Sequence, residues 1–332
     1  MVNIAILCIL WFGGWQVQIG SVSQGEIVAL VNYMNQILLA LVALANLIVA
    51  VTRALACAIR INEVFQVNSS MEEGTKKGTK ESGKPRVAFE HVTFTYGGAQ
   101  EASLTDISFS AMPGETIGII GGTGSGKSTL VNLIPRFYDA TEGSVTVDGQ
   151  DVKTYTFQHL REKIGVVPQK AVLFLGTIRS NLQWRRKDAK ESELWKALQI
   201  AQAEEVVKKK QKGLDEKVET GGRNFSGGQR QRLTIARALV GEPDILILDD
   251  SASALDFATD AALRRSIKEN TKKATVFLVS QRAATVKNAD QILVLDDGKL
   301  VGKGTHEELL KNCNVYKEIC MSQFSSQEVA QL

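Results

Sequence analysis

Charged side chains are nearly absent from the first 52 residues of this 332-residue chain, where Glu26 is the single Asp, Glu, Lys or Arg. Such residues make up 23% of the whole chain, so the remaining sequence has the composition of an ordinary soluble domain. The chain therefore joins two unlike parts, which excludes a wholly soluble enzyme and a disordered, fibrous or disulfide-stapled protein. A net charge of +3 is too small to indicate nucleic acid, and we expect no such partner.

The uncharged region has the length of two membrane helices joined by a turn. Residues 27–52 form an uncharged run of 26 residues, and a helix of that length crosses a hydrocarbon core of ~30 Å. Residues 2–15 are too few to span alone, and a signal peptide is the alternative, although no basic residue precedes them. We expect an all-α transmembrane hairpin with its turn at residues 20–25. Arg53 and Arg60 follow the second run, so the turn is external and the rest is cytoplasmic.

The second apolar run carries a polar stripe. Its members share one helix face and are Asn32, Asn35, Gln36 and Asn46. Two interpretations stay open: the stripe lines a substrate pathway, or it hydrogen-bonds to neighbouring helices. Both require helices beyond the hairpin.

Small residues and charged residues of both signs fill residues 67–86, a composition that cannot build a core. This pattern predicts a flexible linker. The linker would separate a membrane part at residues 1–66 from a second domain at residues 87–324, and residues 325–332 would form a tail.

A glycine-rich loop follows the predicted strand at residues 116–120 and precedes a predicted helix. The loop matches G-x-x-x-x-G-K-S, and its context is that of a Walker A motif rather than a chance match in a glycine-rich turn. We expect its backbone N–H groups to surround phosphate oxygens, Lys127 to reach the β- and γ-phosphates and Ser128 to ligate Mg²⁺. The expected nucleotide-binding residues here are Gly121, Gly122, Thr123, Gly124, Ser125, Gly126, Lys127, Ser128 and Thr129.

A second element of a phosphate site is an apolar strand that ends in two carboxylates. Residues 245–248 are continuously apolar, as in a central parallel strand, and Asp249-Asp250 follow. Ligands bind at the carboxyl ends of such strands, so Asp249 is the expected Walker B partner of Mg²⁺. Alone, the pattern also fits a strand that ends in a polar turn.

A second candidate anion cradle, Ser226-Gly227-Gly228, stands before a predicted helix at residues 229–239. One site needs only one phosphate loop, so the second cradle suggests a nucleotide held by a neighbouring chain. An ordinary N-capped helix start is the alternative.

With these motifs in this order, residues 87–324 resemble the ATP-binding domain of an ABC transporter of the exporter type. The resemblance implies an α/β P-loop NTPase fold with a helical subdomain, and it implies ATP and Mg²⁺ as cofactors. Tyr96 resembles the aromatic residue that stacks on adenine, and Gln169 resembles the Q-loop glutamine that touches Mg²⁺ and senses the membrane domain. Residues 253–256 resemble the D-loop with Asp256. The sequence that resembles the LSGGQ signature, with Phe for Leu, is Phe225, Ser226, Gly227, Gly228 and Gln229.

The resemblance also implies partners and a location. Two such domains face each other head to tail, and each ATP lies between the Walker A loop of one and the signature of the other. The front end resembles the last two of six membrane helices of a half-transporter. We therefore expect a multi-pass protein of the plasma membrane with a cytoplasmic ATP-binding domain. Its expected partners are the lipid membrane and a second half-transporter. The motifs identify no transported substrate.

Two departures from the family pattern stand in the catalytic positions. Asp250 occupies the place of the glutamate general base, and Gln281 occupies the place of the switch histidine. The implied catalytic residues are thus Asp250, Gln281, Lys127 and Gln169, and the implied metal ligands are Ser128, Gln169 and Asp249. The carboxylate of Asp250 is one methylene shorter than that of glutamate, and the amide of Gln281 does not titrate near pH 7. Both changes should slow ATP hydrolysis and leave ATP binding intact.

The catalytic positions depart from the family pattern, whereas the signature, which serves the ATP of the partner, departs only at Phe225. This difference predicts that the chain is the degenerate-site subunit of a heterodimeric exporter of the bacterial multidrug type. A homodimer with two slow sites is the alternative. Two other classes are a soluble ABC ATPase of DNA repair or translation, which the uncharged hairpin disfavours, and a regulatory module that binds ATP without transport.

Overall fold

The computed structural model describes residues 2–67, 69, 71–78, 83–251, 255–271 and 273–323, without the side chain of Phe257. Parts of three predicted features fall outside the described residues, namely residues 68, 70 and 79–82 of the linker, Ser253 and Ala254 of the D-loop, and the tail at residues 325–332. The chain forms two compact units, Met1–Ser70 and Met71–Leu332.

The first unit consists of helix α1, Val2–Gln18, and helix α2, Gln24–Gln66. Glu26 closes a capping box, because its carboxylate accepts from the Ser23 N–H at 2.7 Å and its own N–H donates to Ser23 Oγ at 3.3 Å. The lone charge of this region thus lies in the first turn of a helix, where negative charge is favourable. Among the described residues, α2 alone is long and apolar enough to cross a membrane, and its 43 residues extend beyond one bilayer core.

The second unit is built on one six-stranded and one four-stranded sheet. Its strands are β1 (Val87–Phe94), β2 (Leu104–Ala111), β3 (Thr116–Gly121), β4 (Glu142–Val147), β5 (Gln150–Asp151), β6 (Ile164–Val167), β7 (Gly176–Thr177), β8 (Lys217–Val218), β9 (Ile245–Asp249), β10 (Thr275–Val279), β11 (Gln291–Asp296) and β12 (Lys299–Gly304). The four-stranded sheet has the order β2-β1-β4-β5, the large sheet has the order β12-β11-β3-β10-β9-β6, and β7 pairs with β8.

The helices of this unit cover the large sheet and form a helical subdomain. They are α3 (Lys127–Leu133), α4 (Phe157–Glu162), α5 (Ile178–Leu182), α6 (Glu191–Ile200), α7 (Glu204–Lys208), α8 (Gly227–Leu239), α9 (Phe257–Asn270), α10 (Ala283–Val286), α11 (His306–Asn312) and α12 (Asn314–Gln323). Short 3₁₀ turns lie at Val152–Thr154, Gly213–Asp215 and Thr220–Gly222. Buried Leu194, Leu198 and Leu233 belong to one continuous core that joins the helical subdomain to the sheet.

The large sheet brings three chain segments to one edge. Strands β3, β10 and β9 are parallel neighbours, with Val279 of β10 paired both with Ile119 of β3 and with Asp249 of β9. Since carboxyl ends of parallel strands meet on the same side, the loops after these three strands lie next to one another. Strand β10 is buried at all five positions, which is typical of a central strand.

Part of the predicted linker differs from the flexible segment we expected. Residues 71–78, here called the strap, add to the edge of the second unit: Lys76 N–H donates to Thr154 O and Thr156 N–H donates to Lys76 O, both at 2.9 Å. Glu73 Oε1 accepts from Phe157 N–H at 3.0 Å. The backbone of a polar segment can still form hydrogen bonds. The side-chain composition on which the linker prediction rests could therefore not reveal this contact.

Candidate nucleotide-binding site

The glycine-rich loop connects β3 to α3 and is constrained by close backbone contacts. A Cβ atom at Gly121 would lie 2.1 Å from the carbonyl oxygen of Leu295. Gly126, the residue before α3, has φ of 92°, a left-handed conformation that favours glycine. Both positions therefore require glycine for the loop to close around a ligand.

The side chain of Lys127 is folded back onto this loop. Its Nζ donates to the carbonyl oxygens of Gly121, at 2.9 Å, and of Gly122, and to Ser125 Oγ at 3.3 Å. Lys127 is buried, and burial lowers its pKa while the charges of Asp249 and Asp250 oppose that shift. The hydrogen bonds to these loop oxygens leave the ammonium charge without an anionic hydrogen-bond partner among the described residues, so it attracts an anion such as a phosphate.

Two oxygen ligands for a hard cation meet at the ends of β9 and α3. Ser128 Oγ donates to Asp249 Oδ1 at 3.0 Å. Burial is the main cause that raises the pKa of Asp249, and the hydrogen bond from Ser128 lowers it. A hydroxyl and a carboxylate are the oxygen donors that Mg²⁺ uses beside phosphates, so these residues fit the predicted metal.

Two of the residues predicted to be catalytic, Gln169 and Asp250, lie next to this pair. Gln169 Nε2 donates to Asp250 Oδ2 at 3.4 Å. Burial raises the pKa of Asp250, whereas the Gln169 hydrogen bond and the positive charges of Arg282 and Lys127 lower it. Asp250 has φ of 41° and its N–H donates to Val279 O, which fixes the backbone of Asp250 beside β10.

One open cleft of about 510 Å³ contains most of the predicted residues. Those that line it are Tyr96, Thr123, Gly124, Gly126, Lys127, Ser128, Thr129, Gln169, Asp249, Asp250 and Gln281. Gly121, Gly122 and Ser125 instead contact the ammonium group of Lys127 from the loop.

Sequence reasoning missed two further segments at this cleft. Ser103, with Glu101 and Ala102, and the turn Asp297-Gly298 also line it. Thr105, two residues after Ser103, donates its N–H to Gly298 O at 2.8 Å and so joins the first segment to the turn. The Asp-Gly pair is a visible turn signal between β11 and β12, but nothing in its spacing links it to the phosphate loop.

Tyr96 contacts the phosphate loop from the other wall of the cleft. Its hydroxyl lies 3.0 Å from Thr129 Oγ1. The ring makes edge contacts with Phe94 and Tyr138, at centroid distances of 4.7 and 5.2 Å. The aromatic group is thus held next to the loop that would carry the phosphates.

The signature and the described part of the D-loop lie outside the lining of this cleft. Ser226 and Gln229 form a capping box at the start of α8, with Gln229 Oε1 accepting from Ser226 N–H at 3.1 Å. The exposed Gly227 and the half-buried Gly228 follow the cap. Phe225 is buried in the core of the helical subdomain. Asp256 caps α9 by accepting from Thr259 N–H at 2.9 Å, and these hydrogen bonds lower its pKa.

Comparisons with known proteins match this architecture. The family model described as ABC transporter matches residues 104–253. The uncharacterized ABC transporter ATP-binding protein YfiB of Bacillus subtilis is 43% identical over 324 residues, which cover 98% of this chain and 56% of YfiB. The probable multidrug resistance ABC transporter ATP-binding/permease protein YheH of Bacillus subtilis is 39% identical over 310 residues, 93% of this chain and 46% of YheH.

A solved structure extends the likeness to the fold. A bacterial Atm1-family ABC exporter with ATP bound superposes with a TM-score of 0.77 at 31% identity, over 91% of this chain and 53% of that one. The chain spans about half the length of the curated relatives it matches. The predicted fold, a P-loop domain with a helical subdomain that follows an apolar helical hairpin in the sequence, is thereby confirmed. The chain contains the ATP-binding domain of the ABC transporter family, and its homologues are ABC transporter ATP-binding/permease proteins.

Proposed function

We propose that this chain is the ATP-binding subunit of an ABC exporter whose own site binds ATP firmly and hydrolyses it slowly. The observation that carries this proposal is the pair Asp250 and Gln281 in one cleft with Lys127, Ser128 and Asp249. Phosphate and metal binding need the latter three residues, and all three have suitable contacts. Hydrolysis depends on the positions that Asp250 and Gln281 occupy, and both residues differ from the family pattern.

In the proposed mechanism the residues of the cleft have separate roles. Lys127 exchanges its loop carbonyl partners for phosphate oxygens, and Ser128 and Asp249 would hold Mg²⁺. Bound Mg²⁺ supplies positive charge that offsets the charge of the phosphates during in-line attack by water. Gln169 orients the water, and Asp250 accepts its proton at a carboxylate one methylene shorter than glutamate. A misplacement near ~1 Å can slow such a step by about 10²-fold, which is the basis of the expected slow turnover.

The position of the signature supports a partner of the same kind. Since residues 226–229 lie outside the cleft of their own chain, they are free to complete a nucleotide site on a second half-transporter. A heterodimer with a partner that retains glutamate and histidine is the favoured assembly, and a homodimer with two slow sites is its rival. The apolar hairpin supports a multi-pass subunit of the plasma membrane, with residues 1–66 as part of a larger membrane domain and residues 87–324 in the cytoplasm.

Separate measurements of binding and turnover test the proposal. The full chain, purified in detergent, should bind Mg·ATP and hydrolyse it slowly. Lys127→Ala should abolish binding, which shows that the signal comes from this site. Rapid Mg²⁺-dependent hydrolysis that Asp250→Asn abolishes would overturn the slow-site proposal, and absence of ATP binding would overturn the whole assignment.

A further inference from the structure

One face of α12 is anchored in the second unit. Tyr316 and Cys320 are fully buried, and the Tyr316 hydroxyl lies 2.7 Å from His306 Nδ1. Gln323 follows Cys320 by three residues and Tyr316 by seven, so all three lie on the same helix face. The anchored helix therefore directs the side chain of Gln323 toward the domain.

The amide of Gln323 holds the segment that contains Gln281. Gln323 Nε2 donates to Gln281 O at 2.7 Å, and Ala283 N–H donates to Gln323 Oε1 at 2.9 Å. A carbonyl can only accept and a backbone N–H can only donate, so these partners fix the orientation of the amide. A primary amide satisfies both partners at once without a change of protonation.

The same segment is fixed to the sheet on its other side. Ser280 N–H donates to Ile119 O of β3 at 3.0 Å, and Ser280 Oγ accepts from Arg282 N–H at 3.0 Å. Val279 pairs with Asp249 in the sheet, so Gln281 emerges beside the carboxylates of the cleft. The backbone of Gln281 is thus held between β3 and the end of α12.

We propose that Gln323 is a positioning residue that holds Gln281 in place to recognise the γ-phosphate. Gln323 acts through the backbone of the loop and does not line the nucleotide cleft. This role rests on the proposed function, because it requires that ATP occupies the cleft with its γ-phosphate near Gln281. The affinity for ATP, which has a γ-phosphate, should therefore depend on Gln323, and the affinity for ADP should not.

The first test compares the affinities of Mg·ATP and Mg·ADP for the full chain. Gln323→Met keeps the length of the side chain and removes both hydrogen bonds. It should weaken Mg·ATP binding by roughly three- to tenfold, the size expected for one or two hydrogen bonds, and leave Mg·ADP binding unchanged. Gln281→Ala should have the same effect, and the double variant should be no weaker than either single one.

The second test uses protonation as a rescue. In Gln323→Glu the carboxylate still accepts from Ala283 N–H but repels the Gln281 carbonyl, whereas the protonated acid can donate to it. The loss of preference for ATP over ADP should therefore diminish in this variant as pH falls from about 7.5 to about 5, toward the glutamate pKa of about 4.3. Gln323→Met should show no such recovery relative to the wild-type chain. Ser322→Ala is the matched control, because the Ser322 hydroxyl donates to Ile319 O of the same helix at 2.8 Å.

The outcomes separate the two proposals. If Gln323→Met keeps the wild-type preference for ATP, or weakens ATP and ADP equally, the positioning role is wrong although the site binds nucleotide. If the wild-type chain binds neither nucleotide, the proposed function fails and the positioning role fails with it.

Discussion

The Nε2 atom of Gln169 and the Oδ2 atom of Asp250 are 3.4 Å apart, which is longer than the upper limit of about 3.2 Å usual for an N–H···O hydrogen bond. This amide–carboxylate contact joins the residue expected to orient water to the residue expected to accept its proton. A glutamate at position 250 would extend the carboxylate by one methylene into the cleft. We therefore attribute the proposed slow turnover to the side chain of Asp250, which is one methylene too short.

Asp250→Glu should raise the turnover of ATP by the full chain. Because a misplacement near ~1 Å costs about 10²-fold, restoring the longer side chain should recover roughly ten- to hundredfold in kcat. Adding Gln281→His should raise it further, since histidine supplies a group that titrates near neutral pH. Steady-state phosphate release, with Mg·ATP affinity measured beside it, checks this expectation.

Asp250→Asn is the control for this prediction, because it keeps the shape of the side chain and removes the base. It should lower the residual turnover and preserve binding. Equal kcat values for the wild-type chain and Asp250→Glu would show that the carboxylate position does not limit the reaction.

The half-buried carboxylates of Asp249 and Asp250 should make the nucleotide-free domain less stable as pH rises. Burial raises the pKa of Asp249 and of Asp250. A group whose pKa is raised on folding carries no cost below its unfolded pKa, near 4, and a growing cost as pH passes through the folded pKa. Asp250→Asn should therefore raise the melting temperature, and the gain should grow between about pH 4 and neutral pH.

Thermal unfolding of the full chain, without nucleotide or Mg²⁺, measures this difference. Asp256→Asn is the opposite control, because hydrogen bonds from Thr259 lower the pKa of Asp256 and its ionised form is favoured by folding. That variant should lose stability at neutral pH. A pH-independent gain for Asp250→Asn would contradict the assigned cause.

The sequence was most informative where local pattern and chemistry coincide. The strand before the glycine loop, the apolar run before Asp249 and the serine that caps α8 are all local signals, and the described strands and helices follow them. The contacts made by Gln323 and by the strap could not be predicted in this way. Gln323 bonds to residues about forty positions earlier, and Glu73 bonds to an N–H at a separation of 84 residues. Such contacts depend on tertiary placement, which residue spacing does not encode.

The close approach of the strap to Tyr155 predicts that a methyl group added at Gly78 will displace the strap. Gly78 has φ of 72°, and a Cβ there would lie 2.1 Å from Cε1 of Tyr155. Gly83 has a similar φ of 83°, but a Cβ there meets nothing within 4 Å. Gly78→Ala and Gly83→Ala both carry the cost of a left-handed residue, about 1–2 kcal/mol, and only Gly78→Ala should displace the strap from Tyr155.

Hydrogen exchange distinguishes the two variants. The Gly74 and Lys76 amides donate to Tyr155 O and Thr154 O at 3.1 and 2.9 Å, so they report on the docked strap. Their exchange should accelerate by roughly tenfold or more in Gly78→Ala, the equivalent of a loss of about 1.4 kcal/mol in local stability, and stay near the wild-type rate in Gly83→Ala. Equal exchange in both variants would show that the contact with Tyr155 does not hold the strap.

Tyr96 provides a test of how the adenine is bound. We expect its ring to stack on the base, and its hydroxyl lies 3.0 Å from Thr129 Oγ1. Tyr96→Ala removes the ring and should weaken ATP binding by about 1–3 kcal/mol, the size measured for base–aromatic stacking. Tyr96→Phe keeps the ring and loses only the contact with Thr129, so its affinity should stay close to that of the wild-type chain. Inorganic tripolyphosphate, which has the phosphates of ATP and no base, should bind all three proteins alike. If tripolyphosphate binding falls as much as ATP binding in Tyr96→Ala, then Tyr96 supports the phosphate loop through Thr129 and does not bind adenine.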